Sequence, residues 1–276
     1  MTESEDELKA LRIHGKLARE LGLLIVSGRY RVGQLLETEM EASERYKVSR
    51  PAYREAVRML SAKGLVEARP KVGTRVTPKE RWHLLDPDVL AWMFQSEPDD
   101  RMLRALFELR LVIEPEAAAL AAERRTTEQL ERMEHALEVM SRRTLATDEG
   151  RAADQDFHAA LLEASGNPFL RTLSSSVSAA VAWTTKLKQR VRPLVRDPIP
   201  DHVRVFDAIA GQDAGSARAA MNELIELALF DTTTAPKVAG SSERDGAAAY
   251  WRFVSSNTSM PVSVASRQGI RRAFAA

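Results

Sequence analysis

The chain has 276 residues, no cysteine and a formal net charge of only +1. It is therefore long enough for two domains, and disulfides, thiolate chemistry and cysteine-based zinc sites are excluded. The charge is unevenly distributed: residues 1–81 carry 17 basic against 12 acidic side chains, residues 82–234 carry 17 against 25, and the last 42 residues carry 6 against 2. This pattern favours a basic domain that binds a polyanion, joined to an acidic domain that avoids one.

The amino terminus, MTESEDELK, is acidic and lacks the apolar segment of a signal peptide. The longest aliphatic run, Leu21–Val26, is far too short to span a bilayer. We therefore expect a cytoplasmic protein that does not act at a membrane.

Two short helical segments and two short strands follow one another between residues 36 and 77. Thr38 and Glu41 have the spacing of a capping box, in which each side chain satisfies a backbone N–H at the start of a helix. In this first helix we expect Met40 and Ala42 to face inward.

The second helix of this segment is predicted to be amphipathic. It follows Ser49 as the N-cap, has Pro51 in its first turn and ends at Gly64. Its apolar stripe consists of Tyr53, Ala56, Val57 and Leu60. Another face carries three arginines spaced four residues apart, Arg50, Arg54 and Arg58, and only Glu55 offsets them. Such a basic ridge suits phosphates or guanine edges, although a solvated surface helix has the same pattern.

After this helix, residues 65–69 and 74–77 alternate as strands do, and the turn between them has Lys71 at its tip. Arg69 and Arg75 flank that turn. Two helices followed by a small hairpin predict a winged helix-turn-helix, a module that places its second helix in the DNA major groove.

The run VSRPAYREAVRMLSAKGLVEARPKVGTRV resembles the DNA-binding domain of GntR-type bacterial transcription regulators, over roughly residues 10–78. The resemblance implies that Arg50 and Arg54 contact DNA and that Gly73 is the glycine of the wing. The candidate DNA-binding residues are therefore Ser49, Arg50, Arg54, Arg58, Lys71 and Gly73. The family often has another DNA-contacting arginine near the first helix, where this chain has Met40, so one contact is missing and the operator preference is expected to differ.

Residues 79–98 are too apolar for a free linker, and we predict a short helix from about Pro87 to Gln95. It either docks on the following domain or forms an exposed dimer contact. From residue 99 onward every segment has helical periodicity, which predicts an all-α bundle of about six helices over residues 99–232. The expected helices span 99–125, 127–143, 150–165, 168–189, 200–211 and 215–231, the second starting with a capping box at Thr127. Residues 233–276 are rich in Ala, Ser and Thr and are expected to be mostly disordered.

Asp154 and His158 lie four residues apart on a predicted helix and therefore point the same way, and His202 opens a later helix. A carboxylate and two imidazoles that converge in a bundle suit Zn, Mn or Ni. The alternative is that these groups hydrogen-bond to one another or to a bound acid.

Arg110 lies on an apolar stripe rather than on a polar face, so its guanidinium requires a buried partner. That partner is either an internal carboxylate such as Glu114 or the carboxylate of a ligand held bidentately. We favour the ligand.

The runs FELRLVIEPEAAALAAER and DFHAALLEASGNPFL resemble the FadR-type carboxy-terminal effector domain (FCD) of one GntR subfamily, over about residues 100–230. The resemblance implies a metal site made of an Asp and three His. Asp154, His158 and His202 match the first three ligands, whereas Leu224 stands where the third His is expected. The set is therefore incomplete, and metal binding is expected to be weak.

These observations predict a homodimeric transcription regulator, not an enzyme, that binds an inverted-repeat operator. Its effector would be a small organic or sugar acid bound near Arg110, Asp154, His158 and His202. One alternative is a hydrolase in which the Asp/His/His set holds a metal-bound water. Another is a non-specific architectural DNA binder, which would leave the helical domain unexplained.

Overall fold

A computed structural model describes residues 3–95, 100–189 and 196–233, and these residues lie in one unit. The fold is mainly α, as predicted: a winged helix-turn-helix is followed by a helical bundle. The predicted tail lies outside the described residues from position 234 onward. Within the described residues, no helix is both long enough and apolar enough to cross a bilayer.

The amino-terminal head contains three helices and a hairpin. They are α1 (Glu3–Val26), α2 (Glu39–Tyr46), α3 (Arg50–Ala62), β1 (Val66–Arg69) and β2 (Gly73–Val76), followed by a 3-10 turn at Lys79–Arg81. The strands are antiparallel, with Val66 opposite Val76. Both of these valines are buried and close the head's core against Leu60 of α3.

Local capping explains where the two short helices begin. Thr38 and Glu41 form the predicted capping box of α2, and Ser49 Oγ accepts from the backbone N–H of Ala52 at the start of α3. Ala42 is buried, but Met40 is 57% exposed, so the expectation that it faces inward is wrong. Residues that are two positions apart on a helix point about 200° away from each other, so Met40 and Ala42 cannot both face inward.

The described part of the carboxy-terminal bundle contains seven helices. They are α5 (Asp100–Arg124), α6 (Thr127–Arg143), α7 (Asp148–Ala164), α8 (Pro168–Thr172), α9 (Ser174–Gln189), α10 (Ile199–Ala210) and α11 (Ala214–Thr233). Helix α5 packs on α11, and α7 packs on both α6 and α9. Phe107, Met133, Phe157 and Ile225 are fully buried between them.

Two details of the bundle differ from the prediction. The capping box of α6 uses Thr126, not Thr127, because Gln129 lies three residues after Thr126. The single helix expected over 168–189 is divided into α8 and α9. At the break the hydroxyls of Thr172 and Ser174 donate to the backbone carbonyls three residues earlier, a local bonding pattern that competes with helix continuation.

Helix α4 (Pro87–Gln95) has the predicted bounds and docks on the bundle, as expected. One of its faces carries Val89 and Trp92, which belong to the buried core of the head. The other face carries Phe94, whose ring stacks on Trp183 of α9 with centroids 3.8 Å apart. Trp183 Nε1 also donates to the backbone oxygen of Phe94 at 2.6 Å. Helix α4 therefore packs against both domains.

Candidate functional site

The three arginines predicted to form a ridge on α3 are all exposed on one face of that helix. Arg54 is held by a carboxylate that the sequence interpretation missed: its Nε and Nη2 both donate to Glu39 of α2, each at 2.9 Å. The hydrogen bond from Arg54 lowers the pKa of Glu39. Arg58 pairs with Glu55 at 3.4 Å. The expectation that only Glu55 offsets the ridge is therefore wrong.

The hairpin presents a second basic surface, which is also partly neutralised. Lys71 is exposed at the tip, and Gly73 has φ 111°, a conformation that favours glycine. Arg69, Arg75 and Arg81 converge on one carboxylate, Glu67. Hydrogen bonds from Arg81 and Arg75 lower the pKa of Glu67 to about 2. Glu67 lies opposite Arg75 in the hairpin register, and this is the sequence signal that could have found the pair.

Asp154 and His158 of α7 meet His202 of α10 inside the bundle, as predicted. All three side chains are buried, and one ligand atom from each lies within 4.8 Å of the other two. Asp154 Oδ1 is 3.1 Å from His202 Nε2 and 3.7 Å from His158 Nε2. Ligand atoms of a tetrahedral zinc site with bonds near 2.1 Å are about 3.4 Å apart, so these separations fit a metal.

The outer partners of the cluster fix the orientation of each group. His202 Nδ1 lies 2.9 Å from the backbone oxygen of Pro198, which only accepts, so Nδ1 carries a proton and Nε2 is the ring nitrogen directed at Asp154. His158 Nδ1 lies 2.6 Å from Glu114 Oε2. The Thr185 hydroxyl donates to Asp154 Oδ2 at 3.1 Å and leaves Oδ1 directed at the imidazoles. Such outer partners are typical of metal-binding histidines.

The donor set therefore fits a divalent metal. His202 Nε2 is buried, and although Asp154 Oδ1 lies 3.1 Å away, this nitrogen makes no well-formed hydrogen bond to any residue that the structure describes. Leu224 of α11 is buried and borders the same cavity, where the resemblance placed the third histidine. A metal held here would keep at least one position open for another ligand.

Arg110 is buried, as predicted, and the internal carboxylate Glu114 is its partner among the residues that the structure describes. Its Nε donates to Glu114 Oε1 at 2.5 Å. Burial by itself raises the pKa of Glu114, but Arg110 and His158 outweigh this effect and lower the pKa to about 2. Arg110, Glu114 and His158 therefore form one hydrogen-bonded chain that ends at the metal-type cluster.

A cavity of about 30 Å³ joins these groups. It has room for about two water molecules, so a larger ligand requires the walls to move. Its border includes Arg110, Asp154, His158 and His202, together with Arg196 and Leu224. Arg196 was not predicted. It lies in the run RVRPLVRDP, which has no periodicity, so the sequence carried no signal that this arginine reaches the cavity.

Comparisons with known proteins identify the family of each domain. Residues 14–76 match the family described as "Bacterial regulatory proteins, gntR family", and residues 105–227 match the FCD domain. The chain is similar to the galactonate operon transcriptional repressor of Escherichia coli (36% identity over 208 residues, 74% of this chain and 90% of that protein). It is also similar to the regulator LutR of Bacillus subtilis (32% over 203 residues, 72% of this chain and 91% of that protein).

A solved structure shares the fold. It is that of Lar, which controls expression of the agr system of Listeria monocytogenes, with a TM-score of 0.55 and 18% identity over 79% of this chain and 95% of that one. These relatives are transcription regulators and not enzymes. The chain belongs to the GntR family of bacterial transcription regulators, with an FCD domain of the FadR type as its helical part.

Proposed function

We propose that this regulator is a cytoplasmic homodimer whose operator binding is controlled by a small acid. Residues 1–78 form the DNA-binding domain, 79–98 the linker and 99–232 the effector-binding domain. The observation that carries the proposal is the pairing of an exposed basic helix, α3, with a buried polar cavity in the bundle.

The head binds DNA through α3 and the wing. Ser49, Arg50, Arg54, Arg58, Lys71 and Gly73 are the assigned contacts, and every one of them is exposed. The Glu39 carboxylate fixes the fork of Arg54 before DNA arrives, which reduces the side-chain entropy lost on binding. Two heads related by a two-fold axis match an inverted repeat.

Asp154, His158 and His202 hold a divalent metal in this proposal. The separations of their ligand atoms and the outer partners of both imidazoles support the assignment. Leu224 contributes no ligand, so affinity is lower than at a four-ligand site. When bound, the metal supplies a Lewis-acidic position that attracts the oxygen atoms of an acid.

The charge around the cavity supports a role for the metal in acid binding. Arg110 and Arg196 border the cavity, and the carboxylates in or beside it are Glu114, Asp154, Asp201 and Asp231, of which Asp201 also pairs with the outer Arg204. An anionic effector therefore meets more negative than positive charge there, and a divalent cation offsets that excess. We therefore expect acid binding to depend on the metal.

A sugar acid is the proposed class of effector. The relative from Escherichia coli is a repressor of the galactonate operon, and this chain spans 90% of that protein. The cavity is lined by the guanidinium groups of Arg110 and Arg196, which attract a carboxylate. It is also lined by the hydroxyl groups of Thr184 and Thr185. A polyhydroxy acid uses both kinds of group.

The signal reaches the head through α9 and α4. Thr185 of α9 contacts Asp154, and the neighbouring Trp183 stacks on Phe94 of α4. At the other end of α4, Lys63, the residue that follows α3, bonds both carboxylate oxygens of Asp86 at 2.8 Å. A shift of α9 would therefore move the end of the DNA-reading helix.

The hydrolase alternative has no comparable support. Glu114, a carboxylate that contacts the cluster through His158, is already engaged by Arg110 and His158. The matched relatives with known roles are regulators.

A binding experiment tests the assignment of the DNA surface. The operator is first selected from random duplexes with the wild type. The Arg54→Ala variant should lose specific binding to it, because a lost base contact costs about 1–3 kcal/mol, or roughly tenfold to a hundredfold in affinity. Arg142→Ala is the matched control: it removes an exposed, carboxylate-paired arginine from α6. Equal affinity of both variants in gel-shift titrations at fixed salt would remove Arg54 from the interface.

A further inference from the structure

Two guanidinium groups border the cavity, and the protein holds them very differently. The Arg110 side chain is 4% exposed and is engaged by Glu114 at 2.5 Å. Glu114 is fully buried and is also bonded to His158. Separating Arg110 from Glu114 would leave a buried carboxylate without a charge partner, which is strongly unfavourable. An incoming acid therefore cannot readily replace Glu114.

Arg196 also borders the cavity, and 28% of its side chain is exposed. It pairs through Nη1 with Asp201, and through Nη2 with Asp231 of α11 at 3.2 Å. Its Nε is buried and donates to no residue within the described part of the chain. Arg196 therefore has one unused donor and one long, weak ion pair.

The two carboxylates on Arg196 are not equivalent. Asp201 has a second cationic partner, Arg204 Nη2, at 2.8 Å, and its side chain is buried. Asp231 is partly exposed, and Arg196 is its one ion-pair partner among the described residues. Asp231 can therefore return to water at little cost, whereas Asp201 stays in place.

We infer that Arg196, rather than Arg110, binds the carboxylate of the effector, and that the effector displaces Asp231 from it. This inference rests on the proposed function and assigns the orientation of a polyhydroxy monocarboxylate in the site. The carboxylate forms a two-point pair with the guanidinium and gives Nε its acceptor. The hydroxyl groups then point to the Asp154, His158 and His202 cluster, and Arg110 positions His158 through Glu114.

The experiment compares two variants that break the same ion pair. D-galactonate binding is measured by calorimetry with zinc present, for the full-length wild type, Arg196→Ala and Asp231→Asn. We expect Arg196→Ala to weaken binding about tenfold or more, since a charge-assisted hydrogen-bond pair is lost. Asp231→Asn should strengthen binding about threefold or more, since the competing carboxylate is gone. D-Galactose, which lacks the carboxylate, should bind all three proteins alike.

The outcomes separate a failure of the Arg196 assignment from a failure of the proposed effector class. If galactonate binds the wild type and Arg196→Ala equally, or if both variants weaken binding, Arg196 is only a structural partner of Asp231 and the inference is overturned. If the wild type binds no galactonate at all, the proposed effector class fails, and this inference fails with it. Thermal unfolding of each variant without ligand shows whether it is folded.

Discussion

Leu224 supplies no ligand atom to the proposed metal site of Asp154, His158 and His202. Its side chain is buried at the border of the cavity, so a histidine at this position would place an imidazole near the other three ligands. We expect Leu224→His to tighten zinc binding about tenfold or more, because structural zinc sites have four ligands. Competition against a chromogenic chelator measures this change.

Leu224→Ile is the matched control for that measurement, because it conserves volume and adds no ligand atom. Its zinc affinity should equal that of the wild type. A wild type that already binds zinc as tightly as Leu224→His would show that the fourth ligand comes from elsewhere.

Glu114 makes the stability of the bundle sensitive to acid. Its folded-state pKa of about 2 is below the ordinary value of 4.5, so its contribution to the free energy of unfolding is fully present above pH 4.5 and is lost as the pH falls towards 2. Glu114→Gln should cost about 3–5 kcal/mol at neutral pH, because it leaves Arg110 buried without a counter-charge. It should also reduce the loss of stability between pH 4.5 and 2.

Urea unfolding at several pH values tests this prediction. The control is Glu116→Gln, two residues away on α5, where the exposed pair with Arg218 contributes little. Equal losses for the two variants would mean that the buried pair is no more important than a surface pair.

The sequence predicted where Arg110 lies but not what it binds. Its place on an apolar stripe of α5 implied burial and a buried partner, and both Glu114 and a ligand satisfied that condition. The choice depends on rotamers and on His158 of another helix, which periodicity does not encode. Arg196 was missed because its position depends on α10 and α11 meeting near the cavity.

At the scale of elements, α4 depends on close contact with α1. A Cβ at Gly22 would lie 2.3 Å from the ring of Trp92, so there is no space for it. Gly22→Ala should therefore destabilise the protein by about 1–3 kcal/mol, despite the better helix propensity of alanine.

Gly15 provides the matched control on the same helix. A Cβ there meets nothing within 4 Å, so Gly15→Ala should stabilise α1 by up to about 1 kcal/mol. Thermal unfolding should thus move in opposite directions for the two variants. A rise in Tm for both would mean that Trp92 is easily displaced from α1.

The boundaries of helices were predicted correctly where a capping residue or a proline marks the start, and less accurately elsewhere. Pro87 and the capping residues Thr38 and Ser49 fixed the starts of three helices. The break between α8 and α9 was not foreseen, because no glycine or proline marks it and the serines act through local hydrogen bonds.

At the scale of the whole molecule, we expect that two copies of the chain bind DNA together. One head presents a single reading helix, α3, which offers few base contacts. We expect a dimer in solution and an inverted repeat in the operator, and sedimentation at micromolar concentration measures the first. Arg54→Ala should sediment like the wild type. A monomer, both free and on DNA, would contradict the prediction.

The two-sided packing of α4 has a consequence for building chimaeric regulators. Trp82, Val89 and Trp92 fill the core of the head although all three follow the wing in the chain. A head that is cut after the wing and fused to a foreign sensor would expose the hollow that these side chains fill, and it would be prone to aggregate. A junction placed after Gln95 keeps that hollow filled, but it also brings Phe94, which then needs a new apolar partner in the foreign domain.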